Sequence, residues 1–375
     1  MLAHVQAIER AERLSEGFRG RVPTADALRR LPDETIADLF AADLFGLATP
    51  RRYGGSELGP ETWIEVTSRL AAACGSTGWV YGVLLGHMWL VSQFPVEAQT
   101  EVFCQSQALV ASLVRLKGAA PRRVPGGFRL RGARGRFCSG IDHARWVVVG
   151  GSDLEDGDTP VPYWFLLPKA DVTVVDDWFS VGLQGSGSKS IEVADAFIPE
   201  HRAIRQADLK TGLAPGRSVN TGALYRLPGF TWAFPLPATC LGIAREALRA
   251  CRKLLRAKYA TDLDAHSSTL ATLGEAASDI EMAYQLLLNR ARRLTESAER
   301  PYSPLEVVAH QRDIAFAVQR ARRAVNQLME LSGGSGVYAA AAIERLWRDC
   351  NTSAAHGSFG WDTTMAAYGR ALLEC

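Results

Sequence analysis

The sequence predicts an α+β fold in three parts: a helical domain over residues 1–107, a β-barrel or sandwich over 108–215, and a C-terminal four-helix bundle over 216–375. Two observations carry that reading. Apolar residues recur at helical spacing in the first hundred residues, give way near residue 108 to short β-branched and aromatic runs, and return to helical spacing after a stretch rich in Gly, Pro, Ser and Asn at 206–229. A chain of 375 residues with 47% hydrophobic content is also long enough to build two or three units around a large shared core.

Each element follows from its local pattern. ETWIEVTSRLAAAC (61–74) sets Trp63, Val66, Leu70 and Ala73 on one helical face. The apolar run GWVYGVLLGHMWLVSQF (78–94) is too short to cross a bilayer and contains His87, so it predicts a buried helix and no membrane span. Pro95 then opens PVEAQTEVF, whose Glu97 suits the first turn of a helix. In the middle part ALVASLV, GFRLRG, ARWVVVGG, YWFLLP, VTVVDDW and SIEVADAFIP read as strands, and VPGGF (124–128) as a hairpin turn whose glycines tolerate positive φ. The stretch 206–229 reads as a loop. Three helices follow, lined by Leu241 to Leu255, Ile280 to Leu294 and Ile314 to Leu328, with Gly333 placed to cap the last.

Charge and cysteine content narrow the function. Lys+Arg at 42 against Asp+Glu at 40 leaves a net charge of +2, which gives nucleic acid or an anionic membrane no purchase. Seven scattered cysteines without a C-x-x-C pair argue against a zinc site or a disulfide framework and for a reducing, cytoplasmic location. MLAHVQAIERAERLSEGF mixes acids and bases at helical spacing and does not read as a secretion signal. GLQGSGSKS (182–190) misses the phosphate-loop spacing by one residue and leads into a strand, which removes an NTPase. The basic run from Lys117 to Arg136 fits the solvated face of a hairpin, or docking of an anionic partner.

Helical, then β, then helical is also the order of the acyl-CoA dehydrogenase fold, and several segments resemble it. GARGRFCSGIDHARWVVVGG (132–151), DDWFSVGLQGSGSKSIEVADAFIPEHR (176–202) and SGGSGVY with ERLWRD (332–349) are similar to its middle and late segments. Within that superfamily CGSTGWVYGVLLGHMWLVSQFP (74–95), FCSGIDHARW (137–146), ALYRLP (223–228) and RDCNTSAAHGSFGWD (348–362) resemble the flavin-dependent monooxygenase branch. That branch includes 4-hydroxyphenylacetate and phenolic steroid-ring hydroxylases, dibenzothiophene monooxygenase and amino-sugar N-oxygenases.

The resemblance implies an oxygenase component that takes reduced FMN or FAD from a separate NAD(P)H:flavin reductase. With O₂ it would form a C4a-hydroperoxyflavin and oxygenate a small aromatic or natural-product substrate, free or carrier-bound. It implies a homotetramer as well. An acyl-CoA dehydrogenase or flavin-dependent desaturase is the alternative on the same fold, but SAAHGS stands where a carboxylate base belongs, and Asp362 is the acid that would restore it. A flavin-binding relative without catalysis is the third reading.

By the same resemblance the catalytic candidates are His356, near the distal oxygen, His87, as acceptor of a phenolic proton, and Ser139, beside flavin N5. The cofactor-binding candidates are Ser139, Ser112, Trp79, Gly333 and Gly334, the glycines admitting the phosphate end from a neighbouring subunit; no metal is implied. Judged as single residues, both histidines also fit satisfied core positions, Ser139 fits a strand-end serine, and Gly333 fits a plain helix cap. Trp79, Trp89 and Phe359 are candidates to line a planar pocket or to sit in the core, and Arg115 departs from the small or apolar residues typical of the branch at that wall. Asp142, Arg348 and Asp349 read as structural ion pairs.

Overall fold

The fold comes from a computed structural model and is described for all residues except 119–120, 155–159, 260–261, 299, 301 and 375, so Cys375 lies outside the described residues. The chain opens with α1 (His4–Gly20), α2 (Val22–Leu28), α3 (Asp33–Ala41), α4 (Pro60–Ala73), α5 (Gly75–Val91) and α6 (Val96–Phe103). Helix α5 organises the molecule. Every one of its residues except Val83 is buried, as a helix apolar on all sides must be in a folded core. Close approach is bought with glycine. A Cβ on Gly78 would stand 2.4 Å from the Ala71 Cβ of α4, and one on Gly86 would stand 2.0 Å from the Trp232 carbonyl oxygen.

The middle strands are β1 (Val110–Leu113), β2 (Arg122–Val124), β3 (Gly127–Cys138), β4 (Trp146–Leu154), β5 (Pro160–Pro168), β6 (Thr173–Val175), β7 (Lys189–Pro199) and β8 (Ala203–Arg205). They form two open four-stranded sheets, ordered β1-β4-β5-β8 and β2-β3-β7-β6, with β1 and β4 parallel and all other pairs antiparallel. The expected barrel therefore does not close, because each sheet ends on strands only three or four residues long. The VPGGF turn forms as expected, with Val124 opposite Gly127 and Gly126 at φ +80°. VTVVDDW is a strand only over Thr173–Val175. Beyond it the Asp177 carboxylate accepts from the Ser190 backbone N–H at 2.9 Å and its hydroxyl at 2.6 Å, which ends the ladder.

The 206–229 stretch contains a short helix, α7 (Gln206–Thr211), where only a loop was expected. Helices α8 (Pro235–Tyr259), α9 (Ser267–Glu296), α10 (Pro304–Ser332), α11 (Ala342–Ala354) and α12 (Trp361–Glu374) complete the chain. Helix α10 starts on a Ser303/Glu306 capping box and ends at Gly333, φ +56°. From Arg122 on the basic run forms the β2–β3 hairpin, where Arg129 and Arg131 share Asp195, Arg134 lies beside Glu192 and Arg123 beside Glu200. Among the described residues no helix is long and apolar enough to cross a membrane.

Candidate active site

Residues four apart on a helix lie nearly above one another, so α5 presents Trp79, Val83 and His87 along one face, about 12 Å from first to last. Val83 between them is the only residue of α5 not buried. At the Trp79 end the indole N–H donates to Ser139 Oγ at 3.0 Å. Ser139 follows a bulge in β3 between Gly135 and Cys138, where Phe137 takes φ +77° with its ring exposed. The bulge turns the chain so that Ser139 faces inward. Its hydroxyl then lies 2.7 Å from Ser188 Oγ, which lies 2.8 Å from Ser186 Oγ, all three serines being buried.

His356 joins the same end. It caps the turn Gly357–Phe359 after α11, with its Nδ1 accepting from the Ser358 N–H at 3.3 Å. Its ring centroid stands 5.5 Å from those of both Trp79 and Phe359. Burial lowers its pKa, so the imidazole is neutral at pH 7. His356 also borders a cavity of about 240 Å³, lined further by Val318, Gln319, Arg322, Phe359 and Trp361. Asp362, the acid that would have revived a proton-abstracting enzyme, is exposed on α12.

The other end of the face is built differently. His87 is buried and its Nδ1 lies 2.7 Å from the Val110 carbonyl oxygen on the edge strand β1. A carbonyl only accepts, so Nδ1 carries the proton. Burial pushes the pKa down to about 4 against the raising effect of that hydrogen bond, which leaves a neutral ring with a bare lone pair on Nε2. Nε2 has no hydrogen-bond partner among the described residues. Trp232 packs 5.6 Å from the His87 ring and Trp164 stands edge-on to Trp232 at 5.9 Å.

The remaining candidates separate. Ser112, half-buried on β1, lies two residues beyond Val110 on the same strand. Gly333 and Gly334 are exposed, with nothing of the described chain within 4 Å of a Cβ built on either, so packing within one chain does not demand glycine there. Of the two readings open for Trp89 the structure takes the core: it is fully buried and its indole donates to the Leu224 carbonyl at 2.9 Å. Asp142 pairs with Lys189 at 2.8 Å, Arg348 with Glu344 at 2.6 Å and Asp349 with Arg345 at 3.5 Å, as ion pairs of the fold. Sequence reasoning missed Ser186, Ser188 and Trp232. The serines lay in the very GSGSKS stretch set aside with the phosphate loop, and Trp232 gave no signal outside its fold.

Family models for the N-terminal and C-terminal domains of acyl-CoA dehydrogenases match residues 10–108 and 236–361. The chain is 34% identical to the oxygenase subunit HsaA of a flavin-dependent monooxygenase from Mycobacterium tuberculosis, over 91% of this chain and 88% of that one. It is 31% identical to the oxygenase component of an FADH2-dependent resorcinol hydroxylase from Rhizobium sp. (strain MTP-10005), over 99% and 94%. The crystal structure of HsaA from M. tuberculosis superimposes with a TM-score of 0.93 at 29% identity, covering 100% of both chains. This chain belongs to the flavin-dependent monooxygenases of the acyl-CoA dehydrogenase fold.

As an oxygenase component it uses reduced flavin and O₂ and depends on a reductase for the flavin. The Trp79 end fits a flavin on its own chemistry: a buried hydroxyl already fixed by an indole donor, a neutral imidazole and aromatic rings, with the nearby buried Lys189 paired to Asp142.

Proposed function

We propose that this oxygenase component hydroxylates a small, planar phenolic ring, with His87 accepting the phenolic proton. The observation that carries the reading is the His87–Val110 hydrogen bond, which fixes the tautomer and leaves Nε2 as an acceptor on the same helix face as Trp79. Phenols are the substrates named for relatives such as the resorcinol hydroxylase and the p-hydroxyphenylacetate 3-hydroxylase oxygenase component. An imidazole of low basicity in a dry site shares rather than strips a phenol's proton, and that sharing enriches the ring at the carbon to be oxygenated.

In this reading Ser139 and Trp79 hold the reactive edge of reduced FMN or FAD, which when bound supplies the activation of O₂. Neutral His356 holds a proton at Nε2, since its Nδ1 accepts from Ser358, and presents it toward the Trp79 end. Ser112 continues the wall from His87 along β1. Gly333 and Gly334 receive the flavin's phosphate end from a neighbouring copy in a homotetramer; the φ of +56° already calls for glycine at 333, and the ligand would account for the one at 334. The cytoplasm suits the chain, whose described cysteines are all free.

A pair of substrates tests the base. A phenol and its methyl ether have nearly the same shape, but only the phenol has a proton for Nε2. With reduced flavin supplied, the phenol should be hydroxylated and the ether should leave only hydrogen peroxide, measured by product chromatography. Equal hydroxylation of both would remove proton acceptance by His87 from the reaction.

A further inference from the structure

Ser139 does not stand alone. Its oxygen is the middle of a buried run: the Trp79 indole at 3.0 Å, then Ser188 at 2.7 Å, then Ser186 at 2.8 Å. A hydroxyl has one proton to donate and two lone pairs to accept with, whereas an indole N–H can only donate. Trp79 therefore occupies one lone pair of Ser139 permanently. One proton and one lone pair remain, to be divided between Ser188 and whatever group faces Ser139 from the pocket. If Ser139 donates into the pocket, it accepts from Ser188, and Ser188 accepts from Ser186. If Ser139 accepts from the pocket, each bond reverses: Ser139 donates to Ser188 and Ser188 to Ser186.

A flavin poses both demands in turn. Its N5 is an acceptor when oxidised and carries an N–H donor when reduced, and an oxygenase component must take in the reduced form and release the oxidised one. We propose that Ser188 and Ser186 are positioning residues that reverse the hydrogen-bond polarity of Ser139 to match the redox state of the bound flavin. The inference rests on the reading that places flavin N5 at Ser139. No proton changes its oxygen; each hydroxyl rotates about its C–O bond, so the switch needs no co-reactant. The geometry suits that role, since two successive hydroxyl contacts under 3 Å in a buried site polarise one another and turn together.

The asymmetry of buried hydrogen bonds sets the expected effect. Without the Ser188 oxygen, Ser139 can still donate to oxidised flavin and loses only a donor to a spare lone pair. With reduced flavin, however, Ser139 must accept, and its own proton is stranded in a buried site. Ser188→Ala should therefore weaken binding of reduced flavin relative to oxidised flavin by about five- to hundred-fold. Ser188→Thr, which keeps a hydroxyl, should hold the ratio within about two-fold of wild type.

The test is an anaerobic equilibrium titration of the full chain with FMN and with FAD, each oxidised and photoreduced, followed by tryptophan fluorescence. It is run on wild type, Ser188→Ala, Ser188→Thr, Ser139→Ala and the Ser139→Ala/Ser188→Ala double variant. The proposal holds if Ser188→Ala shifts the ratio of the two dissociation constants, Ser188→Thr restores it, and Ser188→Ala adds nothing once Ser139 is gone. A ratio that Ser188→Ala shifts equally without Ser139 overturns it, because the serine then acts elsewhere. An unchanged ratio in Ser188→Ala, with Ser139→Ala altering flavin affinity, overturns the polarity switch and leaves the flavin seat standing. If neither substitution changes the affinity of either flavin, the seat at Ser139 has failed and the switch falls with it. Should Ser188→Ala fold poorly, Ser186→Ala, one bond further out, carries the same comparison with a smaller shift.

Discussion

The two ends of α5 hold their histidines in opposite ways. His87 projects from the middle of a fully packed helix onto a strand carbonyl at 2.7 Å, so its position and tautomer are set by the backbone on both sides. His356 precedes a three-residue turn; its backbone bonds Ser353 and Phe359, but its side chain is held by one longer bond of 3.3 Å and by two ring contacts, with Gly357 and Ser358 exposed beside it. The first arrangement suits a group that must meet a substrate atom at a defined place. The second suits one that shifts as a ligand arrives, since Gly357 and Ser358 next to it are exposed.

The contrast is broken most severely by His87→Ala. Product formation should fall on the order of 10²- to 10⁴-fold, the usual range for a positioned base, while reduced-flavin affinity stays within about two-fold because the flavin seat is about 12 Å away along α5. Loss of flavin affinity in the same titration would show that the two ends are not separate. The acid limb of stability gives a second measure. The folded pKa of His87 is about 4 and the unfolded value about 6.5, so below pH 6.5 the unfolded chain takes the proton first. The stability carried by neutral His87 is present above pH 6.5 and is lost as the pH falls toward 4. Replacing His87 with Gln should make the slope of stability over that window shallower by about 1.4 kcal/mol per pH unit, read from denaturant melts at a series of pH values.

Glycine substitutions sharpen the same comparison through packing. Gly86→Ala drives a Cβ to 2.0 Å from the Trp232 carbonyl oxygen, which is backbone and cannot step aside, so about 1–3 kcal/mol of stability should be lost. Gly357→Ala, with nothing within 4 Å, should melt within about 0.5 kcal/mol of wild type. Equal costs at the two sites would mean the His356 turn is as rigid as α5. On the chemistry, the milder of the two histidine perturbations is His356→Ala. Roughly ten-fold less product per reduced flavin consumed is expected, the balance appearing as hydrogen peroxide, with flavin binding retained. Unchanged coupling, from an oxygen electrode with and without catalase, would remove His356 from the chemistry.

Much of this architecture was legible because its signals are local. The apolar run over α5, the turn in VPGGF and the Gly333 cap are all written in neighbouring residues. His87, Ser139 and His356 could be named from the motifs around them. The sequence left Trp89 between pocket and core for a physical reason: Trp79 and Trp89 share a helix and a residue type, and only the partner of each indole N–H, Ser139 against the Leu224 carbonyl, distinguishes them.

By itself, then, the sequence determined the order of helical and β parts, the burial of α5 and the residue types available for chemistry, since periodicity and turn preference act over a few residues. The tertiary structure decided which of those residues meet. The Val110 carbonyl that sets the His87 tautomer is 23 residues away, Ser188 reaches Ser139 across 49, and Trp79 reaches Ser139 across 60. Contacts over such distances depend on how strands and helices pack, and no local pattern encodes them.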